Sequence, residues 1–233
     1  MIEELLPESV VAVEARTDDP LWETPLYPEE EAIVARAVAK RRREFAAVRG
    51  CARRAMEKLG VPPQAVLSGE RGAPRWPAGV VGSMTHCDGY CAAALVRAAD
   101  LVSLGIDAEP HGPLPEGVGP SVFLPAESAR LDRMAERWPG VHWDRLLFSA
   151  KESVYKAWFP LTRKWLDFSE ADITLEPDTD GASCGTLRAE LLVLGPQVGD
   201  RPLQVFEGRW AVRDGVVATS VVIPHPSAAL PRP

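Results

Sequence analysis

The apolar run Leu104-Gly105-Ile106 ends in Asp107-Ala108-Glu109, and further along stands Phe148-Ser149-Ala150-Lys151-Glu152-Ser153-Val154-Tyr155-Lys156. The first piece reads as a strand, whose side chains alternate between faces, so Asp107 and Glu109 point the same way. The second reads as a helix. Trp143, Leu146, Leu147, Ala150, Val154 and Trp158 recur at helical spacing and form one buried face, which leaves Lys151, Glu152 and Lys156 on the other side. Glu152 and Lys156 are neighbours one turn apart. Taken singly, each piece has an ordinary explanation: a solvated strand end, and a helix-surface ion pair worth about 0.2–0.5 kcal/mol. Together they offer three carboxylates and two lysines, the set needed to hold a divalent cation and a polyphosphate.

A chain of 233 residues can bury a proper core, as one large domain or two small ones. No run approaches the ~18 apolar residues needed to span a bilayer, so no membrane association is expected. Met1-Ile2-Glu3-Glu4 lacks the basic start and apolar core of a signal peptide, which leads us to expect a cytoplasmic protein. The formal net charge of −7 argues against a nucleic-acid binder, which needs a broad basic surface. Basic residues do cluster, most densely at Lys40-Arg41-Arg42-Arg43. Cys51, Cys87, Cys91 and Cys184 are irregularly spaced and read as free thiols. His86, Cys87 and Cys91 lack the paired spacing of a zinc site.

Ser9 to Glu14 alternates as a short strand. Pro28 with Glu29, Glu30 and Glu31 is a helix start, because proline suits the first turn and acids complement the positive end of the helix dipole. Ile33, Val34, Val38, Phe45, Val48, Ala52, Met56 and Leu59 follow at mostly helical spacing, which predicts one long helix stopped by Gly60-Val61-Pro62-Pro63. Arg41, Arg42, Arg49 and Arg53 lie along its polar side. Ser68 to Gly79 is a turn-rich loop. Val80-Val81 leads into Gly82 to Gly89, then comes a strand from Tyr90 to Val96. A turn at Ala99-Asp100 predicts that this strand forms a hairpin with Leu101 to Asp107. After a loop from Pro110 to Pro120, helices are expected from Pro125 to Trp138 and from near His142 to Pro160. Late strands are expected at Asp172–Leu175, Leu187–Leu192, Gln204–Val212 and Val216–Ile223, with a frayed tail from Pro224 to Pro233. The pattern is α+β.

These residues carry a resemblance. Gly105 to Glu109 and Phe148 to Lys156 resemble the two signature motifs of Sfp-type 4′-phosphopantetheinyl transferases. Gly72-Ala73-Pro74 and Ser83-Met84-Thr85-His86-Cys87-Asp88-Gly89 are similar to that family's two upstream motifs, and Arg42-Arg43-Glu44-Phe45 with Arg49 to its arginine-bearing first helix. Trp143-Asp144-Arg145 and Lys156 to Thr162 resemble the actinobacterial enzymes that serve polyketide, nonribosomal peptide or mycolate-type carriers. The likeness runs from about residue 28 to about residue 170.

The resemblance implies a monomer of two pseudo-symmetric α+β lobes, each a small antiparallel sheet with a long helix. Residues 1–107 would form the N-terminal lobe and 108–233 the C-terminal lobe, with coenzyme A in the cleft between them. The implied reaction moves phosphopantetheine from coenzyme A to a serine of an apo acyl or peptidyl carrier protein and releases adenosine 3′,5′-bisphosphate. Asp107, Glu109, Glu152 and the Ala108 backbone would hold Mg²⁺, with Mn²⁺ as the alternative ion. Lys156 and Lys151 would face the phosphates, and Glu152 would take the serine proton. Arg41, Arg49 and His86 would grip the 3′-phosphate, Thr85 would be a further coenzyme A-binding residue, and Ser68, Gly69, Glu70 and Arg71 would run along the adenine.

Thr85 stands where many relatives have serine, and Ala73 where many have a basic residue that Arg71 or Arg75 could replace. Trp158, Phe159, Arg163, Lys164 and Trp165 form a candidate surface for the carrier. A non-catalytic coenzyme A or nucleotide-binding module and a metal-dependent phosphoesterase or nuclease are the rival readings. The first would not need three carboxylates beside two lysines, and the second lacks its usual Glu-x-Lys after Asp107.

Overall fold

Two antiparallel sheets, each carrying a 20-residue helix, make up the computed structural model, which describes residues 1–178 and 181–226. The first sheet contains β1 (Val11–Arg16), β2 (Val80–Cys87) and β3 (Tyr90–Arg97) in the order β1-β3-β2. Two helices precede β2: α1 (Pro28–Ile33) and α2 (Ala39–Lys58). Next come β4 (Leu101–Pro110), the short α3 (Gly119–Val122), α4 (Pro125–Arg137) and α5 (Trp143–Thr162). The remaining strands are β5 (Ala171–Pro177), β6 (Cys184–Leu191), the two-residue pair β7 (Gln197–Val198) and β8 (Arg201–Pro202), β9 (Val205–Arg213) and β10 (Val216–Pro224). The second sheet runs β4-β10-β9-β6-β5, all antiparallel.

Strand β3 is an almost unbroken apolar run because it is buried on both faces. Cys91, Ala93 and Leu95 pack with Val48, Cys51 and Met56 of α2, while Ala92, Ala94 and Val96 turn to Leu104 and Ile106 of β4. That second cluster also takes in Ala211, Val216 and Ala218, so the two sheets share a core. Each Leu or Ile fully buried there contributes about 1.5–3 kcal/mol. The face of α5 that the sequence predicts as buried does pack on the second sheet, with Trp143 against Trp210 at 5.4 Å between rings.

Three expectations change. The single helix over residues 28–59 is two helices, because α1 ends at Ile33 and α2 begins at Ala39. The break lets α1 lie alongside α2, where the fully buried Glu30 accepts from Arg53 at 3.0 Å and from the Val66 N–H at 2.8 Å. Ile33 and Val38, assigned to the apolar stripe, are exposed. The hairpin partner of β3 is β2, across the Asp88-Gly89 turn, and β4 pairs instead with β10. Sheet membership therefore changes at the 98–100 turn. Finally, α5 runs two residues past Pro160 and closes with Arg163 in the left-handed conformation. The expected tail lies outside the described residues from 227 onward.

Candidate active site

Strand β4 and helix α5 form one wall. Gly105 lets them touch: a Cβ there would sit 2.0 Å from the Ser153 carbonyl. The close approach sets Asp107 beneath Lys156, whose ammonium donates to Asp107 Oδ1 at 2.7 Å and to the Ile106 carbonyl at 3.1 Å. Thr85 on β2 donates to the same Oδ1 at 3.2 Å. Asp107 Oδ2 is buried with no hydrogen-bond partner. Glu109, two residues on, accepts from Arg145 at 3.0 Å. Burial raises the Glu152 pKa, and Asp107 raises it further while Lys156 opposes. Burial and Asp107 likewise raise Glu109 against the pull of Arg145. The three carboxylates thus share one electrostatic neighbourhood with two cations.

Helix α2, the end of β2 and the 68–75 loop form the opposite wall. Arg41 donates to His86 Nε2, and Glu44 lies 3.8 Å from the same nitrogen. Burial, then Arg41, Lys156 and Arg49, push the His86 pKa down to about 4, so its ring is neutral at pH 7. Arg49 is buried, its guanidinium 3.2 Å above the Phe45 ring and its Nε donating to the Val66 carbonyl at 3.2 Å. Burial draws its pKa down to about 10. Between the walls lies a cleft of about 900 Å³.

Models of the 4′-phosphopantetheinyl transferase N-terminal domain and of the 4′-phosphopantetheinyl transferase superfamily match residues 29–96 and 103–194. The chain belongs to the 4′-phosphopantetheinyl transferase superfamily. It is 57% identical to 4′-phosphopantetheinyl transferase Svp of Streptomyces mobaraensis, over 97% of this chain and 91% of that protein. Identity is 47% to 4′-phosphopantetheinyl transferase PptT of Mycobacterium tuberculosis, over 96% of this chain and 98% of the relative. It is 50% to 4′-phosphopantetheinyl transferase Npt of Nocardia iowensis, over 95% and 99%. The two family matches meet at the same 97–102 stretch where the transferase changes sheets.

Of the residues singled out from sequence, Arg41, Arg49, Ser68, Gly69, Glu70, Arg71, His86, Glu152 and Lys156 line the cleft. Thr85 and Asp107 are buried, hydrogen-bonded to each other, and are not among the lining residues. Lys151 does not join them. It is buried against Glu127 at 2.8 Å and donates to the Phe168 carbonyl, because one residue along a helix turns a side chain about 100° from its neighbour. The Ala108 N–H reaches Thr85 toward β2, and a strand residue's N–H and C=O point to the same edge, so its carbonyl faces that gap.

The suggested carrier surface divides. Trp158 and Phe159 are buried, whereas Arg163, Lys164 and Trp165 are exposed. Sequence reasoning missed Tyr155, Phe159 and Arg163 as cleft residues, and Arg145 as the partner of Glu109. The helix did signal most of them: Glu152, Tyr155, Lys156, Phe159 and Arg163 follow i, i+3, i+4, i+7 and i+11 spacing. No three His, Cys, Asp or Glu side chains converge as a metal cage among the described residues.

Proposed function

We propose that the transferase moves the 4′-phosphopantetheine group of coenzyme A to a serine hydroxyl of an apo acyl or peptidyl carrier protein within this cleft. The observation that carries the proposal is the placement of Glu152 and Lys156, over Asp107, across the cleft from His86, Arg41 and Arg49. Arg41, Arg49 and neutral His86 would bind the 3′-phosphate, and Ser68 to Arg71 would lie along the adenosine. Arg71 and Arg75 both line the cleft, and either would supply the basic charge missing at Ala73. Lys156 would meet the pyrophosphate and hold the charge that develops on the departing adenosine phosphate. The serine oxygen attacks the phosphorus bearing pantetheine as the bond to the bridging oxygen breaks. Glu152, whose raised pKa suits a base, takes the serine proton.

The residues present fit a divalent cation. Asp107 Oδ2 is a buried, unpartnered oxygen, and the Asp107 charge raises the pKa of both Glu109 and Glu152. Mg²⁺ takes hard carboxylate and carbonyl oxygens and completes its shell with water and phosphate oxygens. Asp107, Glu152, Glu109 and the Ala108 carbonyl would hold it. When bound, Mg²⁺ or Mn²⁺ polarises phosphoryl oxygens as a Lewis acid. No helix among the described residues is long and apolar enough to cross a membrane, and a monomer acting in the cytoplasm is the setting we propose.

Incubation with coenzyme A, Mg²⁺ and apo carriers of the polyketide, nonribosomal peptide and fatty-acid types tests this. One phosphopantetheine should appear on the carrier serine by intact mass. Glu152→Gln should lower the rate by about 10²–10⁴-fold with the fold intact. Unmodified carriers with coenzyme A still bound would point to a binding module.

A further inference from the structure

The seam between the sheets is closed by hydroxyls. Strand β2 lies beside β4 without pairing in the same sheet, and side chains supply what the backbone does not. Ser83 Oγ accepts the Ile106 N–H at 3.0 Å, and Thr85 Oγ1 accepts the Ala108 N–H at 3.0 Å. An acceptor is all the seam requires, and Ser83 supplies no more than that. Thr85 goes further and donates its proton to Asp107 Oδ1 at 3.2 Å. A hydroxyl has one proton and two lone pairs, so accepting from Ala108 aims the donated proton at the carboxylate. The branched Cβ makes χ1 stiff, and Thr85 is buried, which removes competing water.

Oδ1 is thereby held from two sides, by Thr85 of one sheet and by Lys156 of α5. A carboxylate pinned at one oxygen cannot rotate, and its other oxygen, Oδ2, is left buried and unpartnered. We propose that Thr85 is a positioning residue: its hydroxyl orients the Asp107 carboxylate so that Oδ2 is presented to the cation. This rests on the metal reading above, and it gives the Thr85 hydroxyl a role apart from the coenzyme A contact that the family resemblance implies at this position. Hydrogen-bonding partners of metal-ligating groups typically affect metal affinity or activity by about 10–100-fold when removed.

Thr85→Val keeps the branched shape and removes the hydroxyl, while Thr85→Ser restores it. Mn²⁺ binding is read directly by electron paramagnetic resonance, with adenosine 3′,5′-bisphosphate present, beside the KM for coenzyme A. Thr85→Val should bind Mn²⁺ about 10–100-fold more weakly with KM for coenzyme A at saturating Mn²⁺ little changed, and Thr85→Ser should recover wild-type binding. Wild-type Mn²⁺ affinity in Thr85→Val would overturn the positioning role, as would a raised KM for coenzyme A with Mn²⁺ affinity unmoved. Failure of the wild type to bind Mn²⁺ would sink the metal reading itself, and the positioning role with it. If Thr85→Val does not fold, Thr85→Ser still decides: Mn²⁺ affinity within a few-fold of wild type supports the role, and a loss as large as the one expected of Thr85→Val refutes it.

Discussion

At the residue scale, the transferase separates two lysines that look equivalent in the motif. Lys156 serves the cleft, and Lys151 serves the core. The Glu127 carboxylate that meets Lys151 also accepts the Leu124 N–H at 2.8 Å and the Ile173 N–H at 2.7 Å, so one buried pair ties α4, α5 and β5 together. Removing one partner of such a pair strands a charge, and Glu127→Gln should destabilise the protein by about 3–5 kcal/mol in denaturant unfolding. A change within 1 kcal/mol would mean that the pair is not holding these elements. His86 gives a pH prediction. Its pKa of about 4 lies below the ordinary value near 6.5, so the unfolded chain binds the proton more readily. Its contribution to stability is present at neutral pH and lost as pH falls from about 6.5 to about 4. A phosphate placed beside it favours the charged ring, so adenosine 3′,5′-bisphosphate should raise the His86 pKa in an NMR titration. An unchanged value would remove His86 from the phosphate site.

At the element scale, the packing of α5 on β4 converts two sequence motifs into one site. The helix presents Ser149 and Ser153 to Thr219 of β10, at 3.0 and 2.7 Å, and accepts the Ser103 hydroxyl at its Ala157 carbonyl at 2.7 Å. Small residues and Gly105 allow this approach. A methyl at position 105 would meet both the Ser153 carbonyl and the Ala157 nitrogen within 2.8 Å. Gly105→Ala should therefore cost about 1–3 kcal/mol of stability. It should also slow transfer by about 10²-fold at temperatures where the variant is fully folded, because Asp107 and Lys156 would lose their register. Wild-type turnover in a destabilised Gly105→Ala would show that this contact does not set the site's geometry. The helix period and the strand alternation were legible here, since both elements bury one face against a core. Strand β2 was not. Its Gly82-Ser83-Met84-Thr85-His86 run lacks alternation because Ser83 and Thr85 are buried polar residues whose partners lie on another strand.

At the scale of the whole molecule, the cluster shared by the two sheets makes them one body. Leu104 is fully buried in it, with Tyr90 and Ala92 from one sheet and Ala218 from the other. Leu104→Ala should cost about 2–5 kcal/mol. Tryptophan fluorescence and far-ultraviolet circular dichroism should still report a single coincident unfolding transition. Two separated transitions would mean that the lobes unfold independently. Unity of this kind matters to the chemistry, because Arg41, Arg49 and His86 belong to one sheet's half, and Glu152 and Lys156 to the other's.

The amino-acid sequence alone determined the α+β class, the extents of β9, β10 and α4 to within a residue or two, and the family. Those features rest on local periodicity and on motifs only a few residues long. It also named most of the charged residues of the cleft, since Glu152, Lys156, His86 and the arginines stand inside those motifs. Tertiary structure alone decided which lysine faces the cleft, where the 28–59 helix breaks and which strand β4 pairs with. Each was settled by a long-range partner: Glu127 for Lys151, Arg53 for Glu30, and β10 for β4. Local pattern records which face of an element is buried, but not what lies against it.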